Sequence, residues 1–182
     1  MVPDGGLRVH KQREERRVSI TLMHMVRVCF VCLGNICRSP TAEGVFQHLV
    51  AEANLEDHFE IDSAGTSGWH IGDQADGRSR AEAARRGFEL TSRSRRFVRD
   101  DFDDFDLVVA MDGENVAELR SFARHDDDRS KIVLLRTFDL EADGEDVPDP
   151  YYGGTDGFRN VFDICEAGCR GLLETLRRDH GL

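Results

Sequence analysis

No apolar run in this chain approaches the roughly 20 residues needed to span a bilayer, so the sequence offers no transmembrane helix. A secretory signal is missing too, because residues 1–25 contain no continuous apolar core of the required length. Positive charge is scarce. The 24 Lys and Arg stand against 35 Asp and Glu, a net charge of −11, which argues against a general nucleic-acid binder. There is no internal repeat and no low-complexity tract. The cysteines do not pair off: the five at 29, 32, 37, 165 and 169 are an odd number at irregular spacing, which fits a reducing cytoplasm. Cys29-x-x-Cys32 has no Cys/His pair downstream at zinc-finger or zinc-ribbon spacing. The expectation is a cytoplasmic protein, monomeric by default, with no metal, no cofactor, and neither nucleic acid nor membrane as partner.

A chain of 182 residues with 40% hydrophobic content is large enough for one domain with a proper core. Residues 1–25 carry Arg8, Lys11, Arg13, Arg16 and Arg17 with little apolar periodicity, and read as a disordered extension; Met23 and Met25 offer alternative starts. The domain proper is expected over 26–182. An apolar run at 26–31, broken only by Arg27, reads as a first strand. Helical spacing of Ala42, Val45, Phe46 and Leu49 predicts a helix over 41–56, with Ser39 as its cap and Pro40 at its first position. Strands follow at 59–63, 105–111 and 131–135, and helices at 79–87, 117–123 and 158–178. Gly- and Asp-rich loops fill 65–76 and 141–150, and the aspartate clusters at 100–106 and 126–128 read as solvated surface. Strands alternating with helices predict an α/β fold: a central four-stranded parallel sheet with helices on both faces and a phosphate-binding loop after the first strand.

That loop is the most informative stretch of the chain: Cys32-Leu33-Gly34-Asn35-Ile36-Cys37-Arg38-Ser39-Pro40. A strand, a tight loop and a helix start make an anion site, because the loop's backbone N–H groups converge and the helix N-terminus adds positive potential. The same field favours a thiolate at its centre, which points to Cys32. Arg38 can grip two phosphate oxygens with its planar fork. Gly34 lets the backbone turn tightly, and Asn35 is the loop residue best suited to a left-handed conformation. Ser39 can donate its hydroxyl to Cys32. The pattern proposes a thiolate nucleophile aimed at the phosphorus of a bound phosphate monoester.

The Cys-x5-Arg spacing resembles the signature of cysteine-based phosphatases, and the nine-residue string resembles the low-molecular-weight protein tyrosine phosphatase family. Asp149-Pro150-Tyr151-Tyr152, Ile61 to Thr66 and Phe105 to Asp112 extend the similarity over about residues 26–178. Alone, Asp-Pro reads as a turn. With the resemblance, Asp149 is the expected general acid, ahead of Asp146, and the base that activates water in a second step. Trp69 is the only tryptophan and lies in a polar loop, where the family places its variable specificity loop. Trp69, Tyr151 and Tyr152 are therefore the expected walls of the cleft. The resemblance also implies a reversible disulfide between Cys32 and Cys37. One departure stands out. Many family members carry a histidine where this chain has Thr91-Ser92, so the hydroxyl of Ser92 or of Thr91, with Ser63, is the expected support for Asn35.

The reaction implied is metal-independent hydrolysis of protein phosphotyrosine through a phosphocysteine, with a phosphotyrosine-containing protein as partner. Three alternatives remain. An arsenate reductase on the same fold would need a relay pair of cysteines, and Cys165 and Cys169 lie on a helical stretch instead. A phosphoarginine phosphatase of related sequence carries threonine where this chain has Ile36. A non-catalytic phosphate binder would not need Asp149.

Overall fold

The computed structural model describes residues 25–182, so the extension expected over 1–25 lies outside the described residues except for Met25. Four strands, β1 (Val26–Cys32), β2 (Phe59–Gly65), β3 (Leu107–Ala110) and β4 (Ile132–Leu134), form one sheet in the order β2-β1-β3-β4. Every pairing is parallel. The helices are α1 (Arg38–Glu52), α2 (Gly77–Arg85), α3 (Asp101–Asp104), α4 (Gly113–Phe122), α5 (Asp126–Ser130) and α6 (Thr155–His180).

The strands show why a parallel sheet needs two covered faces. Along β1, Val26, Val28, Phe30 and Cys32 enter a core built with α1, α2 and α6. Cys29 and Val31 enter a second core with Phe97, Phe102 of α3, Phe105 and Leu119 of α4. A continuous apolar run is what such a doubly buried strand requires. The chain passes from β1 to β2 on one side, then crosses to β3 on the other. The carboxyl ends of β1 and β3 therefore open a crevice at the switch point, where such sheets take ligands.

The helix after the loop begins at Arg38, three residues before the expected start, and ends at Glu52. Cys37 occupies the cap position with no side-chain hydrogen bond, so Ser39 is not the cap. Its hydroxyl is turned inward toward the end of β1 instead. The aspartate clusters are also more than a solvated surface. Asp101 and Asp128 are buried, 6% and 1% exposed, on two short helices that periodicity did not predict. Asp101 accepts from Arg95 and from the Val98 amide, and Asp128 accepts from Arg124. Elements of four or five residues are too short to show a helical period, which is why they were invisible in the pattern.

Candidate active site

Cys32 ends β1 and Arg38 opens α1, so five residues make the whole turn between strand and helix. Asn35 takes φ of +53°, the left-handed conformation expected of it, and this tips its amide toward the sulfur. The Asn35 N–H lies 3.3 Å from Cys32 Sγ and the Ser39 Oγ lies 3.1 Å from it. The Ser39 hydroxyl is also 3.3 Å from the Ala64 carbonyl, so it sits between the sulfur and the end of β2. The Asn35 side chain holds the loop in this shape. Its Nδ2 donates to Ser63 Oγ at 2.8 Å and to Ser39 Oγ at 3.0 Å, and its Oδ1 accepts from the Arg95 amide at 2.9 Å.

Ser92 is not among the partners of Asn35, which corrects the expectation for it. It is instead a hydrogen-bond partner of the Glu43 carboxylate, which also accepts from Ser63 Oγ at 2.5 Å and from Gln47. Ser92 thus supports Asn35 only through Glu43 and Ser63. A serine hydroxyl is shorter than an imidazole and stops at the carboxylate. Burial raises the Glu43 carboxyl above its ordinary value, against the hydrogen bonds of Ser63 and Ser92.

Arg38 is 4% exposed. One terminal nitrogen bonds Asp112 and donates to the Val147 carbonyl at 3.1 Å, while the other reaches Asp149 Oδ2 at 3.4 Å. Burial works against its charge, but Cys32, Asp112 and Asp149 outweigh burial and raise its pKa. Asp149 lies on a separate loop, with its Oδ1 accepting from the Tyr151 amide at 3.0 Å. That loop is tied to the sheet where the Val147 amide donates to the Met111 carbonyl at 2.7 Å. Cys32, Arg38 and Asp149 line one cavity of about 220 Å³. Leu33, Gly34, Ile36 and Cys37 of the loop also line it, with Trp69, Tyr151 and Tyr152. Trp69 is 76% exposed and Tyr152 97%, so neither packs into the core. Cys37 and Cys32 are both free. Burial, then Asp76, Cys32 and Asp149, pushes the Cys37 thiol up to about 12. Among the described residues, no group of three or more His, Cys, Asp or Glu could hold a metal ion, and no helix is long and apolar enough to cross a membrane.

A cysteine, an arginine and an aspartate facing one pocket behind a parallel strand invite comparison with known proteins. Residues 27–181 match the family model of low molecular weight phosphotyrosine protein phosphatases. The chain belongs to this family. A low molecular weight protein-tyrosine-phosphatase of Streptomyces coelicolor is 48% identical over 153 residues, covering 83% of this chain and 93% of that protein. Among solved structures, a protein tyrosine phosphatase from Entamoeba histolytica superposes with a TM-score of 0.82 at 41% identity, over 85% of this chain and 98% of that one. A Drosophila arginine phosphatase superposes with a TM-score of 0.77 at 33% identity, over 82% of this chain and 97% of that one.

Several residues around the site of this low molecular weight phosphatase were not read as functional from the sequence. Asp112 orients Arg38 and also caps α4, its Oδ1 accepting from the Asn115 amide at 2.7 Å. A carboxylate two residues past the buried strand β3, at the ligand-binding edge of a parallel sheet, was the available signal. Glu43 falls four residues after Ser39 on the apolar face of α1, and a buried-face carboxylate needs partners that the sequence does not reveal. His70 also lines the cavity, with its Nδ1 3.2 Å from Asp73.

Proposed function

We propose that this chain hydrolyses phosphotyrosine on proteins through a phosphocysteine on Cys32. The observation that carries this reading is that Cys32 and Arg38, at the two ends of one short turn, line the same cavity as Asp149, 111 residues beyond Arg38. The Cys32 thiolate attacks phosphorus in line as the bond from phosphorus to the phenolic oxygen breaks. Arg38 exchanges its carboxylate partners for two phosphate oxygens and meets the charge that spreads over them. Asp149 gives its proton to the departing phenolate, leaving tyrosine and a phosphocysteine. In the second step the Asp149 carboxylate takes a proton from water as the water oxygen attacks phosphorus. The sulfur–phosphorus bond breaks and the thiolate returns, steadied by Ser39 Oγ and the Asn35 amide. The nucleophile and the charge stabilisation come from the chain itself, so the cycle calls for no metal or cofactor. Residues 26–182 make up the catalytic domain, and the enzyme works as a cytoplasmic monomer.

Phosphoarginine is the second reading, since one structural neighbour is titled an arginine phosphatase. Ile36 lines the cavity here and gives it an apolar surface, which favours an aryl phosphate. Arsenate reduction finds no support in Cys165 and Cys169. Both are fully buried on α6, and Cys169 Sγ is 3.6 Å from the Ala42 carbonyl.

The test is phosphate release from a phosphotyrosine peptide, in the presence of a chelator, beside matched phosphoserine and phosphoarginine substrates. Turnover confined to phosphotyrosine and abolished in Cys32→Ser is the expected outcome. Turnover of phosphoarginine in preference would overturn the substrate assignment, and full activity in Cys32→Ser would overturn the nucleophile.

A further inference from the structure

The Asp149 loop has a second anchor besides Val147, and it is reached through a residue that the chemistry above does not use. α2 begins at Gly77, and its cap, Asp76, accepts from the Arg78 amide at 2.8 Å. The Asp76 amide donates to the Ile36 carbonyl of the phosphate-binding loop at 2.7 Å. Its carboxylate takes the Arg78 guanidinium in a two-point pairing, with Nε at 3.0 Å and Nη2 at 2.9 Å. The remaining nitrogen, Nη1, points across to the acid loop. It donates to the Tyr151 carbonyl at 3.2 Å and to the Gly153 carbonyl at 3.4 Å. The guanidinium carbon sits 4.4 Å from the centre of the Phe158 ring and 5.8 Å from that of Tyr151. Phe158 is buried in the first turns of α6, so this stacking fixes the plane of the fork.

The same peptide unit region of Tyr151 is held from both ends. Its amide donates to the Asp149 carboxylate and its carbonyl accepts from Arg78. We propose that Arg78 is a positioning residue for the general acid, fastening the Asp149 loop to the phosphate-binding loop through Asp76. The proposal rests on Asp149 being that acid. A rigid planar fork is what the position demands, since two of its nitrogens serve Asp76 and the third reaches both loop carbonyls. A lysine keeps the charge but cannot meet Asp76 at two points, stack on Phe158 and reach Tyr151 at once. Arg78 touches neither the nucleophile nor the phosphate cradle among the contacts described, so its loss should disturb proton delivery and spare phosphate binding.

The experiment compares kcat/KM, which reports the step that breaks the ester bond, for two aryl phosphates. One carries an activated leaving group that departs without a proton, and the other is a phosphotyrosine peptide that needs one. The proteins are the parent, Arg78→Ala, Arg78→Lys, Asp149→Ala, and Asp149→Ala combined with Arg78→Ala. Inhibition by inorganic phosphate is measured for each. Arg78→Ala is expected to lose about tenfold on the peptide, the scale of a small misplacement of a reacting group, and much less on the activated ester. Arg78→Lys should lose less, with the same bias, and it carries the test if the alanine variant fails to fold. Phosphate inhibition should not move. In the Asp149→Ala background the second substitution should cost nothing further. Equal losses on both substrates, or a full additional loss in the Asp149→Ala background, would overturn the positioning role while leaving Asp149 as the acid. If Asp149→Ala itself showed no leaving-group bias, the general-acid reading would fall and the role of Arg78 with it.

Discussion

Glu43 shows how one side chain can set the terms for a site it never touches. Its carboxylate is 6% exposed and receives hydrogen bonds from Ser63, Ser92 and Gln47. Burial raises its pKa above the ordinary 4.5, so the folded protein holds this proton more tightly than the unfolded chain does. As pH rises past that ordinary value the unfolded chain ionises first, and stability is lost until the folded carboxyl ionises too. Glu43→Gln removes this titration and keeps an oxygen that Ser63 can bond. Urea midpoints measured from about pH 4 to about pH 8 should therefore shift in favour of the variant as pH rises. A difference between the two proteins that stays constant across the range would sink the argument. Cys32, Arg38 and Asp149 stood out in the sequence because each sits in a local string with its own chemistry, and the fold brings all three to one cavity. Glu43 and Asp112 carry no such string, since only their partners across the fold give them roles.

At the level of elements, α6 packs against the turn Leu135–Phe138 with glycines at the contact. A Cβ added at Gly171 would lie 1.9 Å from the Phe138 carbonyl oxygen, and one at Gly168 would lie 2.8 Å from Leu135 Cγ. The first obstacle is backbone and cannot rotate away; the second is chiefly the Leu135 side chain, with the Leu135 carbonyl oxygen farther off at 3.2 Å. Overpacking a core typically costs about 1–3 kcal/mol, and a fixed carbonyl puts Gly171→Ala at the upper end or beyond. Gly168→Ala should cost less. Denaturant unfolding of both variants checks the order, and equal stabilities would show that the turn gives way freely. The apolar positions of α6 were evident from their spacing, yet the closeness of the turn was not. A glycine inside a helix reads as a weak point until the partner that requires it is seen. The same holds for α3 and α5, whose aspartates are fixed by Arg95 and Arg124.

At the scale of the whole molecule, a chain of net charge −11 must take up a dianionic phosphate group. Arg38 brings a positive charge to the pocket, but the field of a net-negative chain opposes the approach of acidic substrates. That repulsion is screened over about 10 Å at 0.1 M salt. Raising the salt from low ionic strength should therefore increase kcat/KM for a phosphotyrosine peptide flanked by acidic residues. It should decrease kcat/KM for one flanked by basic residues. Parallel salt profiles for the two peptides would mean that the surface charge plays no part in approach.

The string from Cys32 to Pro40 by itself determined the turn and placed Cys32 and Arg38 at its two ends, because strand end, loop and helix start are neighbours along the chain. Continuous apolar runs determined the parallel sheet, because a strand buried on both faces cannot alternate. Only the tertiary structure decided that Asp112 and Asp149 converge on Arg38, 74 and 111 residues away. It alone decided that Ser92 stops at Glu43 and that Arg78 joins two loops. These contacts form between residues brought together by packing of the sheet and α6, and no local pattern encodes a distance across a fold.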